Sequence, residues 1–281
     1  MLGNFVPVRV VDRLVANASA VDRVRERAFA ACLITDAQGY VRQAEHADAS
    51  SLAGRLNEYF ASINAAVAQH GGVVVDITGD AVLALWSEAT ESRRSRVAAC
   101  DAALELLRNV DAFNQRSPDF RLPTRIGLDY GPVALGPVGA AGFWQYRPVG
   151  SAVNTASRIE QHNRRLGTQL LVSEAVVAGL DEFCLRPVGS FVFHNRTEAV
   201  SLFELIARRE AASPLQITLC QATANALQHF RLQRSDAAEA EFAALLRAYP
   251  NDGVAQFYLQ LCRDGQRRRD GEIVIDGLVL K

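Results

Sequence analysis

The chain has 281 residues, 49% hydrophobic and 22% charged, with a formal net charge of −1. That length and apolar content can build one large core and a smaller appendage, while the near-neutral charge excludes the basic excess that binding to nucleic acid or to an anionic membrane surface requires. Five scattered cysteines, without Cys-x-x-Cys spacing, indicate neither a disulfide framework nor a zinc site, and a reducing cytoplasm is the expected setting.

No run approaches the roughly 18 apolar residues of a membrane span, and no signal-peptide pattern opens the chain. Val6 to Phe29 carries apolar residues at Val10, Val11, Leu14, Val15, Val21, Val24 and Phe29 among Arg and Asp, which predicts an amphipathic helix acting as a connector. Ala30 to Asp36 reads as a buried strand closed by an acid. Ser50 to His70 places Leu52, Leu56, Phe60, Ile63 and Val67 at helical spacing and stops at Gly71-Gly72. Val73 to Trp86 is an apolar hairpin interrupted by Gly79-Asp80.

A second helix is expected over Arg96 to Phe113, a strand over Thr124 to Asp129 and a helix over Ala152 to Arg165. A strand (Thr168 to Val172), a short helix (Ser173 to Ala178) and a closing pair of strands (Phe191–Phe193, Val200–Leu205) follow. The order is α+β, with a mixed, mostly antiparallel sheet and helices on one face. After Ile206 a polar break, Arg208 to Pro214, leads into helices at Gln221–Leu232, Asp236–Tyr249 and Val254–Cys262. The middle one, with its Pro250-Asn-Asp, resembles a single tetratricopeptide helix pair. The tail from Glu272 reads as a strand or hairpin needing another surface to pair with.

Two segments carry the chemistry. Val73-Val-Val-Asp-Ile-Thr-Gly-Asp80-Ala places a carboxylate on a tight hairpin, where oxygen ligands meet a hard cation. Some sixty residues later, Tyr146-Arg-Pro-Val-Gly-Ser-Ala-Val-Asn154-Thr-Ala-Ser-Arg158 sets an amide and a guanidinium four apart on one helix face. Together they resemble the class III nucleotide cyclases over roughly Ala30 to Leu205. The fold this implies is the ferredoxin-like, palm-like cyclase domain, here with a C-terminal helical extension. The expected organisation is a linker over 1–29, the cyclase domain over 30–207, a tetratricopeptide-like helical extension over 215–264 and a strand tail over 265–281.

The resemblance implies an enzyme that converts ATP or GTP to the 3′,5′-cyclic monophosphate and pyrophosphate with two divalent cations, Mg2+ or Mn2+. Their ligands would be Asp36, in Asp36-Ala-Gln-Gly-Tyr-Val, and Asp80, in Gly79-Asp80-Ala81. Asn154 would hold the ribose and Arg158 the α-phosphate. Active sites in this family form between two protomers, so a homodimer is implied, and the first helix resembles a linker from an upstream sensor. The cytoplasm is the expected location, whether the chain stands alone or is the cytoplasmic part of a membrane-anchored receptor.

Two positions depart from the common pattern. Asp76 stands where adenylate cyclases usually carry Lys and guanylate cyclases Glu, and Arg147 stands where Asp, Thr or Cys is usual. An aspartate can accept from guanine N1–H and N2–H2, and an arginine can donate to O6 and N7, so the couple suits guanine; the alternative is an Asp76–Arg147 salt bridge. Family frequency favours ATP. The phosphate-binding Lys of the last hairpin is absent, leaving Arg196 or His194 for the triphosphate. A catalytically degenerate domain that binds nucleotide or a partner is the rival reading. Diguanylate cyclases are disfavoured because Gly79-Asp80-Ala81-Val82 lacks their Gly-Gly-Asp/Glu-Glu-Phe string.

Overall fold

An inward-outward alternation with Ala28 and Ala30 buried and Glu26, Arg27 and Phe29 less so already marks a strand at Glu26. The computed structural model describes residues 26–46, 48–140, 143–193 and 197–263, together with strand residues 268–269, 272–275 and 278–280. Most of the expected N-terminal helix therefore lies outside the described residues. Its last four positions are a correction: they belong to β1 (Glu26–Ala37), because a period of two fits their burial better than a period of 3.6.

The chain divides between Ser157 and Arg158 into two compact units. In the first, β1 is followed by α1 (Tyr40–His46), α2 (Ala49–Gln69), β2 (Val73–Thr78), β3 (Ala81–Glu88), α3 (Arg93–Arg116), β4 (Thr124–Ala140) and β5 (Phe143–Val149). The strand order is β2-β3-β1-β4, with β5 paired to the far half of β4, and each of these pairs is antiparallel. β4 runs well past the expected Asp129, through Gly131-Pro132 and Gly136-Pro137. Glycine and proline weaken a strand on local grounds, but pairing with β1 up to Leu135 and with β5 from Ala134 overrides them.

α2 buries Tyr59, Ile63, Ala66 and Val67, one helical stripe. The Asp48 side chain caps its start by accepting from Ser51 N–H at 3.0 Å, worth about 1 kcal/mol. Burying each large side chain of the stripe contributes about 1.5–3 kcal/mol, so tertiary contact rather than capping holds the helix. Tyr59 lies on the Thr35 side of β1, whereas Ala28, Ala30 and Cys32, on the opposite side, share a core with Ala152 and Ala156. Helices therefore flank β1 on both faces and not on one, because its whole middle is apolar on both sides.

α4 (Ser151–Leu166) spans the division between the units. The second unit continues with β6 (Leu170–Ser173), α5 (Glu174–Val177), β7 (Phe183–Val192), β8 (Ala199–Arg208), α6 (Pro214–Arg231), α7 (Ser235–Ala248) and α8 (Gly253–Arg263). Short strands β9 (Arg268–Arg269), β10 (Glu272–Ile275) and β11 (Leu278–Leu280) follow. β11 pairs with β7 through Val279–Val192 and Leu280–Phe191, which supplies the surface the tail needs.

Ile159, Leu171, Phe191 and Leu202 share one core with Leu227, Phe242 and Tyr258, so α6 to α8 close over the same apolar layer as β7 and β8. Within it, Arg186 donates to both carboxylate oxygens of Asp252 at 2.6 Å, to Glu204 at 3.2 Å and to Thr223 at 2.8 Å. Burial pushes the Glu204 carboxyl up. The Cys184 and Cys220 Sγ atoms lie 3.6 Å apart as free thiols, and burial pushes the Cys220 thiol up to about 12.

Candidate active site

The β2–β3 hairpin closes through Gly79-Asp80 between the paired residues Thr78 and Ala81. A left-handed φ of 62° falls on Gly79 and not on Asp80, the arrangement of a type II′ turn, which matches the twist of the flanking strands and favours glycine at its first position. Asp80 is thereby held at the tip. Its Oδ2 accepts from the Ala37 backbone N–H at 3.2 Å, which lays the tip against the end of β1, beside Asp36. The two carboxylates predicted from sequence are brought together.

Burial pushes the Asp80 carboxyl up, and the Asp36 charge adds to the effect. Two acids in mutual repulsion at the end of a strand invite a counter-charge. One is already present: Arg125, opposite Asp36 on β4, donates from Nη2 to Asp36 Oδ2 at 2.7 Å. Sequence reading passed over Arg125, although a charged residue in the apolar strand Thr124-Arg-Ile-Gly-Leu was a visible signal. The Asp36 and Arg125 side chains are 35% and 12% exposed, so a solute can reach the carboxylate.

No group of three or more His, Cys, Asp or Glu side chains suited to a metal occurs among the described residues. A cation held here would take Asp36 and Asp80 as protein carboxylates and draw its other oxygens from backbone, water or substrate, as hard divalent ions do. The donor set fits that use: both groups are oxygen ligands, and positive charge relieves their repulsion.

Asp76 and Arg147 also come together. The register of β2 against β3 shifts between Val74 and Asp76, a bulge that re-aims the side chains beyond it. Asp76 Oδ2 accepts from Arg147 Nη2 on β5 and from Thr78 Oγ1 at 3.1 Å. The ion pair weighed against base recognition is thus formed, with Asp76 23% and Arg147 38% exposed.

Asn154 and Arg158 stand one turn apart on α4, Asn154 exposed and Arg158 half-buried. A Cβ on Gly150 would lie 2.7 Å from Pro132 O, so only glycine lets the chain turn into this helix so close to β4. No described hydrogen bond or ion pair joins Asn154 to Asp36 or Asp80. His194 and Arg196 lie outside the described residues. No helix among the described residues is long and apolar enough to cross a membrane.

Comparison with known proteins identifies the family and the fold. The family described as "Adenylate and Guanylate cyclase catalytic domain" matches residues 26–203. Adenylate cyclase 1 of Rhizobium meliloti (strain 1021) is 32% identical over 208 residues, 72% of this chain and 31% of that protein. The adenylate cyclase of Anabaena cylindrica is 31% identical, over 62% of this chain and 36% of that protein. The chain thus spans about a third of the length of these curated relatives. Among solved structures, the adenylyl cyclase CyaB from P. aeruginosa superposes with a TM-score of 0.59 at 20% identity, covering 68% of this chain and 100% of that one. The matched region and the fold agree: this chain belongs to the adenylate and guanylate cyclase catalytic-domain family.

Proposed function

We propose that the chain is a nucleotide cyclase that converts a purine nucleoside triphosphate to its 3′,5′-cyclic monophosphate and pyrophosphate, as a homodimer in the cytoplasm. The observation that carries this reading is the apposition of Asp36 and Asp80 at one end of the β1–β3 layer, with a 3.2 Å hydrogen bond holding the hairpin in place. These two carboxylates would hold two divalent cations, Mg2+ or Mn2+, which when bound supply positive charge to the attacking 3′-hydroxyl and to the phosphate oxygens.

The chain's own groups do the positioning. Arg125 balances Asp36 in the free protein and is placed to turn its guanidinium to a phosphate oxygen when cations take over that role. Asn154, exposed at the start of α4, can hold the ribose, and Arg158 one turn on can meet the α-phosphate as charge develops there. His194 and Arg196 are candidates for the terminal phosphates. In the homodimer, the aspartates of one protomer face the Asn154 helix of its partner. Exposed apolar side chains support such a pairing: Ile77 on the edge strand β2 is 48% exposed and Val149 at the end of β5 is 52% exposed.

ATP is the proposed substrate, since the relatives above are named adenylate cyclases. The Asp76–Arg147 pair favours a second reading. Its polarity suits guanine, and with each side chain satisfied by the other any base must open an ion pair before it is read. The same closed pair is what a domain that binds without turnover would show.

Incubation of the purified protein with ATP or GTP and Mg2+ or Mn2+, with products identified by mass, separates these readings. Cyclic AMP is expected, cyclic GMP from GTP would shift the assignment to guanine, and no cyclic product would overturn the enzyme. Mixing Asp80→Ala and Arg158→Ala proteins tests the shared site. Random pairing makes half the dimers mixed, each with one intact site of two, so about a quarter of wild-type activity should return. Two inactive parents that stay inactive when co-dimerised would refute it.

A further inference from the structure

The Asp76 carboxylate takes two donors on one oxygen. Arg147 Nη2, from β5, and Thr78 Oγ1, from β2 itself, both donate to Oδ2, the second at 3.1 Å. An ionised carboxylate can only accept, so the Thr78 hydroxyl spends its single proton there. Among the described residues no hydrogen bond reaches Asp76 Oδ1, and none uses the Arg147 Nε or Nη1 groups.

The two donors are held differently. Arg147 comes from another strand, 71 residues along the chain, on a long side chain that is 38% exposed and rich in rotamers. Thr78 stands two residues from Asp76 on the same strand, where alternate side chains share a face, and its β-branched side chain has few rotamers. Its backbone is fixed as well: past the bulge, Asp76, Ile77 and Thr78 pair in regular register with Leu83, Val82 and Ala81. Reading a purine requires Arg147 to leave Asp76, because its guanidinium must turn to an acceptor on the base. With Arg147 alone, the acid would lose its one protein partner at that moment and rotate into water. Thr78 keeps hold of the same oxygen.

We propose that Thr78 is a positioning residue for base choice: its hydroxyl keeps the Asp76 carboxylate in place when Arg147 is drawn to the base, so that a purine is read against a fixed acceptor. This rests on the base-reading role weighed above for Asp76 and Arg147. The contrast it sharpens is between the 6-amino group of adenine and the 6-oxo, N1–H edge of guanine. Thr78→Val keeps the shape and the β-branch but removes the donor, and Thr78→Ser keeps the donor.

The test compares adenine with guanine in two ways: the ratio of kcat/KM for ATP and GTP, and the ratio of calorimetric Kd values for 3′-deoxy-ATP and 3′-deoxy-GTP. The deoxy compounds lack the attacking hydroxyl, so the second ratio needs no turnover and stays decisive if the protein forms no cyclic product. Thr78 is exposed, so water competes for the bond and the expected effect is modest. Thr78→Val should move both ratios towards one by about fivefold, the scale of one such hydrogen bond, and Thr78→Ser should stay within about twofold of wild type. A role confined to hairpin stability would lower Tm and leave the ratios alone. Thr78→Val ratios within about twofold of wild type, or moved away from one, overturn the proposal while Asp76→Ala still shifts them. Ratios unchanged in Asp76→Ala remove the base-reading role itself and this proposal with it, as do wild-type ratios already near one or nucleotides that fail to bind. Should Thr78→Val fail to fold, Thr78→Ala against Thr78→Ser decides.

Discussion

The same chemical pair, arginine with aspartate, occurs in both units of the chain in opposite circumstances. In the first unit, Arg125–Asp36 and Arg147–Asp76 are partly open, with side-chain exposures of 12% to 38%. In the second, Arg186 and Asp252 are 3% and 9% exposed and joined by two bonds of 2.6 Å. An open pair contributes little to stability, because water competes for both partners, and for that reason it can be exchanged for a ligand. A buried pair cannot be exchanged: each charge has lost its hydration and depends wholly on the other. Geometry alone does not separate function from architecture, but access to solvent does.

The largest expected effect falls on the open carboxylates. Asp36→Ala and Asp80→Ala should each lower the cyclase rate by about a thousandfold, roughly 4 kcal/mol, with Tm little changed. Steady-state rates beside thermal melts check this, and more than about a tenth of wild-type activity in either variant would refute the cation-ligand assignment. Asp252→Ala should do the reverse. It strands Arg186 and also removes the acceptor for Ala255 N–H at the start of α8, so about 3–5 kcal/mol of stability should be lost. Denaturant titration reads this directly.

The second unit also carries an acid-sensitive group. Burial, aided by the Arg165 charge, lowers the His162 imidazole from 6.5 to about 4, where it packs edge-on against Phe191 and Phe193. The native state therefore holds fewer protons than the unfolded chain between those values. Stability should fall as pH drops from about 6.5 towards 4, by up to about 3 kcal/mol. His162→Leu should flatten that limb in melts taken across the range, and an unchanged slope would show that other groups dominate.

The smallest effect concerns the second open pair. Exchanging it as Asp76→Lys with Arg147→Asp should move preference towards ATP by about 1–3 kcal/mol in relative kcat/KM. If both are replaced by Ala and the ratio of ATP to GTP use stays as in wild type, the pair is structural and base choice lies elsewhere.

Local pattern was sufficient for α2, α3 and the Gly79-Asp80 hairpin, because helical stripes and turn chemistry are written within a few residues. The motif strings likewise named Asp36, Asp80, Asn154 and Arg158. Only the tertiary structure decided what a single strand cannot express. The long course of β4 through two Gly-Pro steps depends on partners on either side of it. The helices on both faces of β1 follow from a core that assembles residues more than a hundred positions apart. Arg125 stands opposite Asp36 because antiparallel register sets it there, 89 residues along the chain. The pairing of Asp76 with Arg147, one of two outcomes open to the sequence, was settled by a bulge in β2 and the approach of β5. Sequence named the chemically capable groups; register and burial decided which of them meet, since both depend on distances that no local spacing encodes.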